Sequence, residues 1–141
     1  MKKFLLFFSV ILFTSCGPTK VQEETRPLYE ILVQKNAGGA KFKFFEIISQ
    51  PEEFVMIQGD PELKNKIRAN DINTANFLIL SLGEKPTGGF GIGIEKAEET
   101  ATNIIVTVKE IEPQPGAIAT QVLSNPYCVV RINSKKEIII K

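Results

Sequence analysis

The chain has 141 residues, 43% of them hydrophobic and 23% charged, which fits one globular domain and excludes a disordered or fibrous chain. Its formal net charge is +1, or −1 without Lys2 and Lys3 (15 basic against 16 acidic side chains), and no basic run offers an electrostatic footprint for nucleic acid. There is no histidine, and Cys16 and Cys128 are the only cysteines, which removes most of the usual catalytic and metal chemistry.

The chain opens with Met1-Lys2-Lys3, then an apolar run from Phe4 to Phe13 broken only by Ser9, then Thr14-Ser15-Cys16. Two lysines, about ten apolar residues and small residues at the cut are the parts of a secretory signal peptide, and the run is too short to span a bilayer. Phe13-Thr14-Ser15-Cys16 resembles a bacterial lipobox, with phenylalanine in place of the usual leucine. The resemblance implies a lipoprotein signal peptide over 1–15, lipidation of Cys16, and a lipid-anchored, extracytoplasmic place in the bacterial cell envelope, at the outer membrane. An ordinary signal peptide with an incidental cysteine is the alternative. The polar stretch to Pro27 reads as a linker, so 16–27 is the lipidated cysteine with its spacer and 28–141 is one β-rich domain. With the leader removed, 126 residues remain, enough to bury roughly two thirds of the unfolded surface.

Residues 28–33 and 41–48 have strand composition, and Asn36-Ala37-Gly38-Gly39 between them is a turn signal, so a hairpin is expected. The second strand has no cleanly polar face, which suits an edge position or a bulge near Glu46. Ser49-Gln50-Pro51-Glu52 reads as a capping box opening a short helix through about Ile57, ended by Gly59. Asp60-Pro61-Glu62 offers a second helix start, with Leu63 and Ile67 on one face. Glu52, Glu53, Asp60 and Glu62 could be read as an acid/base pair or a calcium site, but helix capping and solvated charge account for them more simply.

Five further strands are expected at 77–82, 89–97, 103–111, 127–132 and 137–141. The fold class is therefore α+β, mostly β: an antiparallel sheet, small sandwich or open barrel with one or two short helices. Phe77–Leu82 and Phe90–Ile94 flank a Pro/Gly turn, which reads as a hairpin. Gly89, Gly91 and Gly93 alternate with Phe90, Ile92 and Ile94, giving one bulky face and one bare face against which a bend, another backbone or a ligand can lie. If successive strands alternate in direction, the 84–88 turn and the 112–126 connection share one end of the molecule. The loops at 98–102 and 133–136 share the other. The first end holds Pro86, Pro113, Pro115 and Pro126, with Pro61 if the helices pack there, and stiff loops lose little entropy on binding.

Gly83-Glu84-Lys85-Pro86-Thr87-Gly88-Gly89-Phe90-Gly91-Ile92-Gly93-Ile94, the Pro115-Gly116 pair and Asn125-Pro126-Tyr127 together resemble the C-terminal domain of the protease complex subunit PrcB family, over about residues 71–133. The resemblance implies a lipoprotein that associates with and stabilises a secreted serine-type protease without being a peptidase. Pro86-Thr87-Gly88-Gly89-Phe90 is also similar to the first loop of chagasin-type inhibitors of cysteine proteases, although Asn125 stands where their third loop has arginine.

A phosphate-cradling reading of the glycines fails because a strand, not a helix, follows them. Cys128 has no histidine to activate it and suits a buried core thiol. Ser124 or Thr87 with Lys85 as base lacks an orienting third group. The expectation is a non-enzymatic binding or accessory subunit with no cofactor, no metal and no nucleic acid. Its partner would be an exported protein such as a protease, held by Lys85, Pro86, Thr87, Gly88, Gly89, Phe90, Pro113, Pro115, Gly116, Asn125, Pro126 and Tyr127. The bare face of the glycine strand would admit a partner backbone. A peptidase inhibitor acting through Pro86–Phe90 and an unrecognised hydrolase are the alternatives.

Overall fold

The structure, a computed structural model, describes residues 26–141, so the leader, the lipidation of Cys16 and all but the end of the linker lie outside the described residues. The order of elements is β1 (Tyr29–Lys35), β2 (Lys43–Ile48), α1 (Pro51–Gln58), a 3-10 turn (Asp71–Asn73), β3 (Asn76–Leu82), β4 (Gly91–Glu99), β5 (Asn103–Ile111), β6 (Tyr127–Ile132) and β7 (Glu137–Ile140). They form a four-stranded antiparallel sheet ordered β1-β6-β3-β2 and a three-stranded sheet ordered β4-β5-β7, in which β5 and β7 are parallel. Of the expected arrangements, the small sandwich is the one that forms.

The central strands explain this order. In β3, Phe77 faces one side while Leu78, Leu80 and Leu82 face the other; in β6, Val129 opposes Cys128, Val130 and Ile132, and all of these are buried. A strand buried on both faces must be covered on both sides. On one side Phe54 and Ile57 of α1 join Leu63, Ile67 and Ile72 from the following turns. On the other, Ile92, Ile104, Val106 and Ile138 of the second sheet pack against the Leu80 and Val130 side chains. The outer face of β5 is wetter, as its alternation of Ile104, Val106 and Val108 with Ile105, Thr107 and Lys109 suggests.

Two expected hairpins do not form. β1 and β2 lie at opposite edges of the four-stranded sheet, because β6 and β3 take the places between them. The Asn36–Gly39 turn instead receives the chain before β6: the Asn125 amide donates to the Asn36 carbonyl at 3.1 Å, and the Gly39 amide to that of Asn125 at 2.9 Å. Nor does β3 pair with β4. Both edges of β3 are taken, by β2 and β6, so the chain crosses to the second sheet after Gly83.

As its mixed faces suggest, β2 is an edge strand, with unbroken register past Glu46. The bulges fall elsewhere, between Ile31 and Val33 and between Ile94 and Lys96. The first lets two successive residues, Leu32 and Val33, enter the same core. Helix α1 begins one residue later than the expected capping box: Gln50 is the N-cap, and the Glu53 carboxylate accepts from the Ser49 and Gln50 amides at 3.1 and 3.2 Å. The second helix is replaced by hydrogen-bonded turns over 61–66 that still bury Leu63 and Ile67.

Phe54 is 1% exposed and its ring lies 4.7 Å from that of Phe77, tilted by 32°. Phe54→Ala is expected to lower the unfolding free energy by about 3–5 kcal/mol, read by urea denaturation. A loss below 1 kcal/mol would show that the helical layer does not cover the sheet as described.

Candidate functional site

The two loop segments expected to lie together do so. Backbone bonds pair Lys85 and Ser124 in both directions, the Lys85 amide donating at 2.7 Å and the Ser124 amide at 3.0 Å. The Gly88 amide donates to the Thr120 carbonyl at 2.9 Å, and the Ser124 hydroxyl donates to the Thr87 carbonyl at 2.7 Å. A third loop joins them: the Glu84 amide donates to the Lys41 carbonyl at 3.0 Å, and the Asn125 side-chain amide to that of Ala40 at 3.3 Å. The result is a rim in which each loop is tied to the next. At the other end of the sandwich, the Lys136 ammonium joins its own loop to the Thr100 carbonyl and the Glu99 carboxylate, both at 2.8 Å.

The candidate residues divide by exposure. Pro86, Gly89, Pro115 and Gly116 are open to solvent, while Lys85, Thr87, Gly88, Phe90, Pro113 and Asn125 are half-buried. The Lys85 ammonium sits 5.4 Å from the centre of the Phe90 ring, and Phe90 packs inward against the core between the sheets, so this loop presents no aromatic tip. Pro126 is fully buried, and Tyr127 packs on the opposite core. Asn125-Pro126-Tyr127 therefore holds the rim together from beneath.

Sequence reasoning missed three strongly exposed apolar side chains of this rim. Ile118 is fully solvent-exposed, and Val122 and Leu123 are 63% and 60% exposed. All three lie on the 112–126 connection. The available signal was an apolar set between Pro115-Gly116 and Ser124 that has no strand alternation, and therefore no reason to be buried.

The bare glycine face is buried by the protein itself at Gly91 and Gly93 and closely approached at Gly89, which corrects the expectation that a partner backbone enters there. Gly89 has φ +89°, and a Cβ on it would stand 2.9 Å from Cβ of Pro113. A Cβ on Gly93 would meet the Gln34 side-chain amide at 2.5 Å; that amide donates to the Ile92 carbonyl at 2.9 Å. Close approach is indeed the reason for the glycines, and the approaching groups come from β1 and from the segment after β5.

Several of the groups weighed for chemistry are otherwise engaged. Burial pushes the Cys128 thiol up from 9.0 to about 11, so it stays protonated at neutral pH. The Ser124 hydroxyl is buried and spent on Thr87. Glu53 caps α1, the Asp60 carboxylate accepts from the Glu62 amide at 2.8 Å, and Glu62 pairs with Lys35 at 2.6 Å. Among the described residues, no group of three Cys, Asp or Glu side chains converges as a metal site would.

Fold and rim together define a β-rich α+β domain whose most built surface is a cluster of mutually pinned loops. Residues 77–133 match the family model described as PrcB C-terminal, so this stretch is similar to that domain. It runs from β3 through β6 and contains both paired rim segments. Comparisons with curated proteins and with solved structures find no match.

Gly89→Ala should destabilise the domain by more than Gly116→Ala. Both positions have positive φ, worth roughly 1–2 kcal/mol of strain in each variant, but only Gly89 is packed against a neighbour. Equal losses in denaturant titrations would show that the Gly89–Pro113 contact is not tight. For Cys128, the unfolded thiol ionises near pH 9 and the folded one near 11, so above pH 9 the unfolded state binds fewer protons and stability falls. The contribution is whole below pH 9 and lost by about 11. The stability gap between wild type and Cys128→Ala should therefore shrink by about 2–3 kcal/mol between pH 8 and pH 11; an unchanged gap would contradict the buried-thiol assignment.

Proposed function

We propose that this chain is a lipid-anchored accessory protein of the bacterial cell envelope that binds an exported partner through its rim of loops, with a secreted serine-type protease as the first candidate. The observation that carries the reading is the coincidence of the PrcB C-terminal match with a rim that exposes Ile118, Val122 and Leu123 beside Pro86 and Pro115. Apolar side chains grouped on a surface mark a contact region, and loops already tied to one another lose little freedom when a partner binds.

The direction of β1 adds to this. Its first residue, Tyr29, pairs with Ile132, and its last, Lys35, pairs with Tyr127 beside the rim. Seven residues of strand separate the two ends by about 20 Å. A chain tethered through the residues before Arg26 would thus hold the rim on the side away from the anchor, where an exported partner can reach it.

Ile118→Asp with Leu123→Asp should cut recovery of the partner from envelope extract at least about tenfold while changing stability by only about 0.5 kcal/mol, as is usual for exposed sites. Undiminished recovery would remove the rim from the interface. Cys16→Ala should move the protein out of the membrane fraction, and continued retention there would overturn the lipid anchor without touching the rim.

A further inference from the structure

At the end of the sandwich where the described chain begins, a polar pocket of about 360 Å³ is lined by Arg26, Glu30, Lys66, Arg68, Asp71 and Arg131, among others. Four basic and two acidic residues are among those that line it. Arg131 takes both acids: its Nη2 donates to Asp71 Oδ2 at 2.8 Å and its Nη1 lies 3.3 Å from Glu30 Oε2. Its Nη2 also donates to the Lys66 carbonyl at 2.6 Å. These bonds hold Arg131 in place, and neither carboxylate of the pocket forms an ion pair with its other basic residues. The Lys66 ammonium donates only to the Leu32 carbonyl, at 2.6 Å, and neither Arg26 nor Arg68 has an ion pair among the described residues.

The concentration of charge is local. With Lys2, Lys3, Lys20, Glu23 and Glu24 set aside, the described residues carry 14 basic and 14 acidic side chains, whereas this pocket has an excess of two positive charges. The cations come from three separate segments: the residues before β1, the turn before the 3-10 turn, and β6. Arginines drawn from several segments suit an oxyanion, and a phosphate offers more acceptor oxygens to share among them than a carboxylate does. The volume exceeds that of a bare phosphate and leaves room for what the phosphate is attached to.

We infer that this pocket binds a phosphate group, either free or as the headgroup of an anionic phospholipid. Phosphate binding does not depend on the proposed function. The lipid source does rest on the anchored reading, since the pocket lies at the end from which the tether would leave. The molecule would then have two working ends, a basic one at the membrane and an apolar one away from it.

The test uses the full chain in neutral detergent micelles and reads the amide and guanidinium NMR signals of Arg68, Asp71, Arg131 and Asn133. Inorganic phosphate is titrated in one arm. Phosphatidylglycerol doped into the micelles forms the second, with phosphatidylcholine and acetate as comparators. Saturable shifts centred on these residues are expected, weakening as salt is raised. Arg26→Ala with Arg68→Ala, both exposed, should weaken binding at least about tenfold without unfolding the domain. A response to phosphate alone identifies a free ligand, and a response to phosphatidylglycerol alone identifies a lipid headgroup; either supports the site. No saturable shift in either arm, acetate binding as tightly as phosphate, or full affinity in the double variant would overturn it.

Discussion

The pairing of β3 with β6 is the constraint on which the rest of the molecule depends. Both strands lie between neighbours and are apolar on both faces, so neither can remain at an edge or against water. Their burial requires a layer on each side. The chain supplies one from α1 and the turns around Leu63, Ile67 and Ile72, and the other from β4, β5 and β7. Both ends of the pair then become loop clusters, because every connection to a covering layer must leave from one of them.

The upper cluster is rigid for a reason visible in its bonds. Asn125 is held by Asn36, Gly39 and Ala40, and Ser124 by Lys85 and Thr87, so the residues entering β6 tie three loops to one point. Pro126 is fully buried, and Tyr127 continues this anchoring into the core beneath α1. The outer part of the 112–126 connection leaves apolar side chains uncovered. A fixed base with an exposed apolar crest is a suitable form for a docking surface.

Gly89, Gly91 and Gly93 show how a correct local inference can lead to the wrong neighbour. A strand that repeats glycine is one that something approaches closely, and something does. The approaching groups are Gln34 and Pro113 of the same chain, brought there by the crossing of the two sheets. The space is filled by the fold itself, which moves the candidate contact from the glycine face to the loop beyond it.

Much of the local structure was legible in the residues. The strands at 103–111 and 127–132 followed from Ile and Val content bounded by turn residues, and the helix through Ile57 from a capping box read one residue early, at Ser49 and Glu52, and a glycine stop. The PrcB-like turn was visible as Pro86-Thr87-Gly88-Gly89-Phe90, and the shared end of the 84–88 and 112–126 loops followed from counting reversals of strand direction. Strand partners did not follow, since a turn such as Asn36–Gly39 looks the same whether it closes a hairpin or receives another segment. The basic pocket was equally invisible, because Arg26, Arg68 and Arg131 are far apart in the chain. Alternation and turn chemistry act between near neighbours and are written in the sequence; partner choice and charge convergence depend on which faces the whole chain must bury together, and only the folded molecule decides them.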